Sequence, residues 1–253
     1  MTLITDPLFY LVAVPAVVFL GLSKGGFSGI GMVSTPLVAI IMPPLEAAAI
    51  LLPILLVQDA FSAFVYRRVW DPWNLKVLLP GCVIGVGCAW MFAAYVSDAA
   101  VRLVVGLIAL GFVAYALFRH WLPGEPPRPR ASHGVFWGAL SGFTTTLIQI
   151  GAPPYYAFVL PQRLEKMIYV GTTVMFFAAA NAMKVVPYVA LGQFSTSGLW
   201  TSFALFPLAI ACNYLGIWLV RVTPETIFYR ITNVIVFLLG CELTRQGLTE
   251  LLK

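Results

Sequence analysis

The chain has 253 residues, 60% of them hydrophobic and 10% charged, with 15 Lys and Arg against 10 Asp and Glu. A soluble domain carries roughly a quarter charged residues, so this composition cannot cover a water-facing surface, and a bilayer is the solvent that suits it. At ~20 apolar residues per spanning helix, about six to eight spans use nearly the whole length and leave no room for a second, soluble domain.

The chain opens MTLITDPLFYLVAVPAVVFLGL, and its first basic residue is Lys24. A secretory signal needs a positive n-region, so cleavage is not expected and 7–22 should stay in the protein. Further apolar segments follow at 32–43, 45–66, 75–96, 99–119, 134–147, 154–161, 164–191, 198–220 and 224–248. Those at 45–66, 75–96, 99–119, 198–220 and 224–248 are long enough to span, and 164–191 spans with tilt. The others form two interrupted pairs. Segments 7–22 and 32–43 are split by SKGGFSGIG (23–31), and 134–147 and 154–161 by IQIGAP (148–153). Glycine and proline there raise the cost of a continuous helix. Irregular backbone at membrane depth is tolerated only where it is buried in protein or lines a cavity.

The most polar stretch, RHWLPGEPPRPRASH (119–133), holds four prolines and three arginines. It divides the chain into a first membrane repeat (1–118), a cytoplasmic linker (119–133) and a second membrane repeat (134–253). Each half opens on an interrupted pair and continues with three long spans. GMVSTPL (31–37) stands where GAPPYYA (151–157) stands in the second half. DAFSAFVYRR (59–68) against NAMKVVPYVA (181–190) sets Asp59 opposite Asn181 and Tyr66 opposite Tyr188. SDAAVRLVVG (97–106) against ETIFYRITNV (225–234) sets Arg102 opposite Arg230. The expected fold is therefore an all-α polytopic membrane protein of two repeats.

Loop charge suggests that the repeats are inverted. If each interrupted pair is a re-entrant hairpin, each half crosses three times. With 119–133 in the cytoplasm, the regions carrying Arg67, Arg68 and Lys76, Arg163 and Lys166, and Arg221 also fall there. The turns at 43–46, 97–98 and 192–197 then face outward and hold no Lys or Arg, a positive-inside pattern. Both termini lie outside, against which Arg245 and Lys253 weigh mildly.

Two constellations could carry chemistry. At the first break, exposed backbone amides of Gly25, Gly26, Gly29 and Gly31 would suit an anion, because helix N-termini carry partial positive charge. Lys24 adds a full charge, and Ser23, Ser28, Ser34 and Thr35 add hydroxyls. In the second half Thr144, Thr145, Thr146, Gln149 and Gly151 supply neutral polar groups. Discontinuous helices of inverted repeats form substrate sites in this way. The alternative for Lys24 is snorkelling to the headgroups, and for the glycines tight helix packing. The second constellation is Asp59, an intramembrane carboxylate that would face a cavity or a partner and could take up a proton. Asn181 and Lys184, three apart on one helix face, complete a coupling or gating shell. Lys184 would neutralise Asp59, meet the substrate or lie near the membrane surface.

Other chemistries find little support. Cys82, Cys88, Cys212 and Cys241 lie in apolar stretches as small hydrophobic filler. No metal-ligand set, cofactor motif or Walker loop occurs. The charge of +5 reflects orientation of short loops rather than nucleic-acid binding. Trp70, Trp73, Trp200 and Trp218 read as interfacial anchors. GFSG (26–29) matches the GxSG of intramembrane serine proteases, but the only histidines, His120 and His133, lie in the linker. A Ser28–Lys24 dyad would need a deprotonated lysine.

GLSKGGFSGIGMVSTPLVAIIMPP (21–44), LPILLVQDAFSAFVYRRVWD (52–71) and TTVMFFAAANAMKVVPYVALGQF (172–194) together resemble the sulfite exporter TauE/SafE family. The resemblance covers almost the whole chain, with IQIGAPP standing in the second half in place of a run of glycines. It implies transport of sulfite or a small organosulfonate such as sulfoacetate, outward across the bacterial inner membrane. The reading is a secondary transporter with a small anionic substrate, embedded in the lipid bilayer. Lys24, Ser28, the 25–31 backbone and Gln149 would hold the anion between the halves. A passive anion channel, an intramembrane protease and a non-transporting subunit are the rivals, and a homodimer is left open.

Overall fold

The structure is a computed structural model that describes residues 4, 6–26, 30–42, 44–92, 95, 97–118 and 129–252. No strand occurs among the described residues. In chain order the helices are α1 (Pro7–Gly25), α2 (Ser34–Val38), α3 (Pro44–Tyr66), α4 (Pro72–Phe92), α5 (Asp98–Phe118), α6 (Ala131–Ile148), α7 (Ala152–Val159), α8 (Lys166–Ala190), α9 (Thr196–Val222) and α10 (Glu225–Leu251). Short 3₁₀ turns precede α2 (Ile30–Val33) and follow α7 (Leu160–Gln162).

α1, α3, α4, α8, α9 and α10 are long and apolar enough to cross a membrane, and Ala99–Gly111 of α5 is a shorter apolar stretch. These helices carry large exposed apolar side chains. Leu11 is 71% exposed, Met91 72% and Phe203 52%. Such a surface is an aggregation liability in water and the normal exterior in lipid.

The break expected from 23 begins later: α1 continues through Ser23, Lys24 and Gly25 to a length of 19 residues and is long enough to span, about 28 Å at 1.5 Å per residue. The start is set by Asp6, whose side chain caps Leu8 N–H at 2.9 Å, and by Pro7 at the first helical position. The stop is Gly26, whose φ of 138° only glycine adopts without strain.

The helices form two compact units. The first comprises 1–70 and 173–224; the second comprises 71–172 and 225–253. Each takes segments from both sides of the 119–133 stretch, most of which lies outside the described residues.

In the first unit α1 packs on α9, and α3 on α9 and α1. Its core joins Phe9, Val17 and Leu20 of α1 to Leu51 and Ile54 of α3 and Leu205 of α9. Small residues let the backbones close. A Cβ added at Gly25 would sit 2.3 Å from the Gly216 carbonyl carbon, and one at Gly21 2.5 Å from Cys212 Cβ. In the second unit α4 packs on α6, and α5 on α10. There Gly81 and Gly85 meet the carbonyl oxygens of Val135 and Ala139, while Gly138 and Gly142 meet those of Leu78 and Cys82. Spacing of four along each helix puts these glycines on one face, the small-xxx-small contact of membrane helices.

Candidate functional site

The first unit holds its ions inside. Among the described residues that are fully buried, only Asp59 and Lys184 carry charge. Lys24 lies in the last turn of α1, and its ammonium sits 2.6 Å from Asp59 Oδ1 on α3. The side chain of Lys24 is 12% exposed and that of Asp59 4%. The ammonium also stands 6.0 Å from the ring centroid of Phe177 on α8, within cation–π range. Asn181 of α8 donates from Nδ2 to Asp59 Oδ2 at 2.5 Å. Both carboxylate oxygens are thus engaged, one by a cation and one by an amide. Lys184, one turn along α8, is 1% exposed.

Hydroxyls from α3 hold the end of α1 in place. Ser62 Oγ lies 2.9 Å from the Lys24 carbonyl oxygen and 3.0 Å from Asn213 Oδ1. Tyr66 OH donates to the Gly25 carbonyl at 3.0 Å. The last carbonyls of a helix have no intrahelical partner, and here side chains from 38 and 41 residues away serve them. Asn213 Nδ2 donates to the Gln58 carbonyl at 2.8 Å, and Gln58 Nε2 donates to the Ala209 carbonyl at 3.1 Å.

The expected anion cradle takes a different form. Gly25 is helical and buried, and the Gly26 N–H is bonded back to the Ser23 carbonyl at 3.1 Å. Neither amide is left for a ligand, because helix α1 uses them. Gly31 lies in a 3₁₀ turn, where an added Cβ would meet Ser23 Cβ and Oγ at 2.8 Å. Thr35 is inside α2, a five-residue helix too short to develop a useful dipole. Ser34 Oγ donates to the Ala16 carbonyl at 2.9 Å, a packing bond. Ser28 and Gly29 lie outside the described residues. Lys24, expected at the break, is helical and paired with Asp59, whose other carboxylate oxygen accepts from Asn181.

Among its described residues, the fully buried polar side chains of the second unit are neutral. α6 ends at Gln149, which takes the left-handed conformation at φ 59°. Gly151 then starts α7, buried so closely that a Cβ would lie 2.7 Å from Thr145 Cβ. Its carbonyl accepts from Ser141 Oγ at 2.7 Å. Thr144 and Thr146 return their hydroxyls to α6 carbonyls. At the start of α4, Asp71 caps Asn74 N–H at 2.7 Å. Asn74 and Gln162 exchange two amide bonds, each 2.9 Å.

Sequence reasoning passed over Gln58, Ser62, Tyr66 and Asn213 in the first unit and the Asn74–Gln162 pair in the second. Polar side chains inside apolar spans mark the first group. An Asp71-x-x-Asn74 capping pattern before an apolar run marks the second.

Six helices of membrane length among the described residues, with an ion cluster buried among the first unit's helices, define a polytopic membrane protein. The family model for the sulfite exporter TauE/SafE matches residues 13–243, nearly the whole chain, and the chain belongs to that family. It is a family of membrane transporters rather than enzymes. No curated protein and no solved structure matches the chain.

Proposed function

We propose that the protein is a secondary transporter that exports sulfite or a small organosulfonate such as sulfoacetate across the bacterial inner membrane. The observation that carries this reading is the Lys24–Asp59–Asn181 cluster inside membrane-length helices. Charge is costly there and is kept where it serves a substrate or ion path. Lys24 binds the anion, while Asp59, Asn181 and Lys184 form the coupling shell. Two features support a duplicated chain. The cluster joins α1 and α3 to α8, so it draws on both halves, and Asp59 meets Asn181, its counterpart in the repeat comparison. α1 packs on α9 in one unit as α6 packs on α4 in the other, pairing the first long helix of one half with the fourth of the other. Alternating access follows when the helices holding Lys24 and Asp59 rock against the one holding Asn181.

The test is flux of sulfite and sulfoacetate through purified protein in liposomes. Saturable flux that Lys24→Gln removes, with the variant still folded, is the expected result. Unchanged flux in that variant removes Lys24 from the site, and flux that never saturates makes the protein a channel.

A further inference from the structure

We propose that Asp59 is the proton site that couples transport, and that one proton accompanies each anion because both must be accommodated at one ammonium. This rests on the reading of Lys24 as the anion-binding group.

In the structure the Lys24 charge is spent on an internal counter-ion, 2.6 Å away. An arriving anion can use that ammonium only by displacing the carboxylate. An ionised Asp59 beside a bound anion would put like charges together in a low-dielectric interior, which disfavours ionisation. A proton taken from water onto Oδ1 removes the conflict. An O–H bond forms, the carboxylate charge disappears, and the ammonium passes to the anion. Asn181 can still donate to Oδ2, which remains an acceptor in the acid. On the far side the anion leaves, the proton returns to water and the ion pair closes again. The closed pair has no net charge, so the empty site can return across the membrane.

The surrounding charges favour this order. α1 offers Lys24, α2 offers no charged residue, α8 offers Lys184, and α9 offers Arg221, which lies within electrostatic reach of Tyr66. Arg67 and Arg68 follow the last residue of α3, Tyr66, and α9 also carries Cys212. An arriving anion competes with the Asp59 carboxylate for these positive neighbours. Anion and proton binding therefore reinforce each other, and the reinforcement is reciprocal. A dianion carried with one proton moves one net negative charge, which an inside-negative membrane drives outward. A monoanion carried with one proton moves without net charge.

The probe is sulfoacetate, or, if sulfoacetate is not carried, sulfite at alkaline pH where it is the dianion, with the full chain in liposomes holding a pH dye. Sulfoacetate is fully ionised near pH 7 and brings no proton of its own. One proton should follow each anion, and the half-saturating concentration should fall toward acid, approaching about tenfold per pH unit. Asp59→Asn should abolish proton movement and flatten that pH profile. Anion movement by wild type without protons, or proton movement persisting in Asp59→Asn, overturns the proposal. If Asp59→Asn does not fold, the wild-type ratio decides alone: one proton per anion supports the proposal and none overturns it. Folded wild type that moves neither anion overturns the transport reading, and this proposal with it.

Discussion

The two units close their helices by the same device and fill their interiors with different chemistry. In the first, Gly21 and Gly25 bring α1 against Cys212 and Gly216 of α9. In the second, Gly81 and Gly85 bring α4 against Val135 and Ala139 of α6. Yet among the described residues the first buries Asp59, Lys184 and most of Lys24, whereas the fully buried polar side chains of the second are neutral: Asn74, Ser141 and threonines of α6, α8 and α10. Close backbone approach is therefore scaffold, common to both. Among the described residues, fully buried charge belongs to the first unit alone, and a property that depends on charge should fail there and survive matched changes in the second.

The sharpest break of that comparison is Lys24→Gln. Removing one partner of a buried ion pair leaves an uncompensated charge, at a cost of roughly 3–5 kcal/mol. Apparent melting temperature in detergent should drop accordingly. The double variant Lys24→Gln, Asp59→Asn removes both charges and should recover most of that stability, since neutral groups of similar shape replace the pair. It should nevertheless carry no anion. A double variant that is stable and transports normally would reduce the pair to scaffold.

How much of this was legible in the sequence depends on the range of each interaction. Helix existence was readable from apolar runs such as 45–66 and 198–220, because lipid demands local hydrogen bonding and local hydrophobicity. The end of α1 was not. Gly25 and Gly26 read as a break from 23 onward, but Ser62 and Tyr66 cap the carbonyls of Lys24 and Gly25 and so extend the helix. Asp59 stood out as an intramembrane carboxylate, while its partner did not. Lys24 and Lys184 were both available in composition, and the packing of α1 with α3 and α9 brings Lys24 to Asp59. The glycines read as small-residue contacts without naming their opposite helices, because spacing defines a face and not what covers it.

Glycine substitutions should affect both units alike. A Cβ at Gly85 would stand 1.9 Å from the Ala139 oxygen, and one at Gly25 2.3 Å from the Gly216 carbonyl carbon. Backbone cannot yield as a side-chain tip can, so Gly85→Ala and Gly25→Ala should each cost about 1–3 kcal/mol by overpacking. Gly87, two residues along the same helix as Gly85, has nothing within 4 Å of its Cβ position. Gly87→Ala should be neutral or slightly stabilising, since alanine favours helix by up to about 1 kcal/mol. Equal losses for Gly85 and Gly87 would show that helix propensity, not packing, governs this face.

In the second unit the nearest equivalent of the ion cluster is the Asn74–Gln162 amide pair. Gln162→Ala removes two bonds of 2.9 Å and one to the Phe158 carbonyl at 3.0 Å. Asn74 keeps its bond to Asp71 at 3.0 Å. The loss should be about 1–3 kcal/mol, the range for a buried polar group stripped of a partner. Saturable flux should persist at reduced stability, in contrast to Lys24→Gln. Loss of flux with stability intact would move the binding site away from the charged unit.

The smallest effect should come from one of the second unit's own ion pairs. Arg102 Nη1 lies 2.6 Å from Glu250 Oε1, a contact as short as that of Lys24 with Asp59. The difference is exposure: the side chains of Arg102 and Glu250 are 25% and 43% accessible. Accessible ions keep much of their hydration and are screened by salt, so such pairs contribute roughly 0–1 kcal/mol. Glu250→Gln should shift the melting temperature little, and raising the salt should shrink even that shift. Flux and its pH profile should stay as in wild type. A loss as large as that of Lys24→Gln would mean that distance, not burial, sets the worth of an ion pair in this protein, and the contrast between the two units would fall with it.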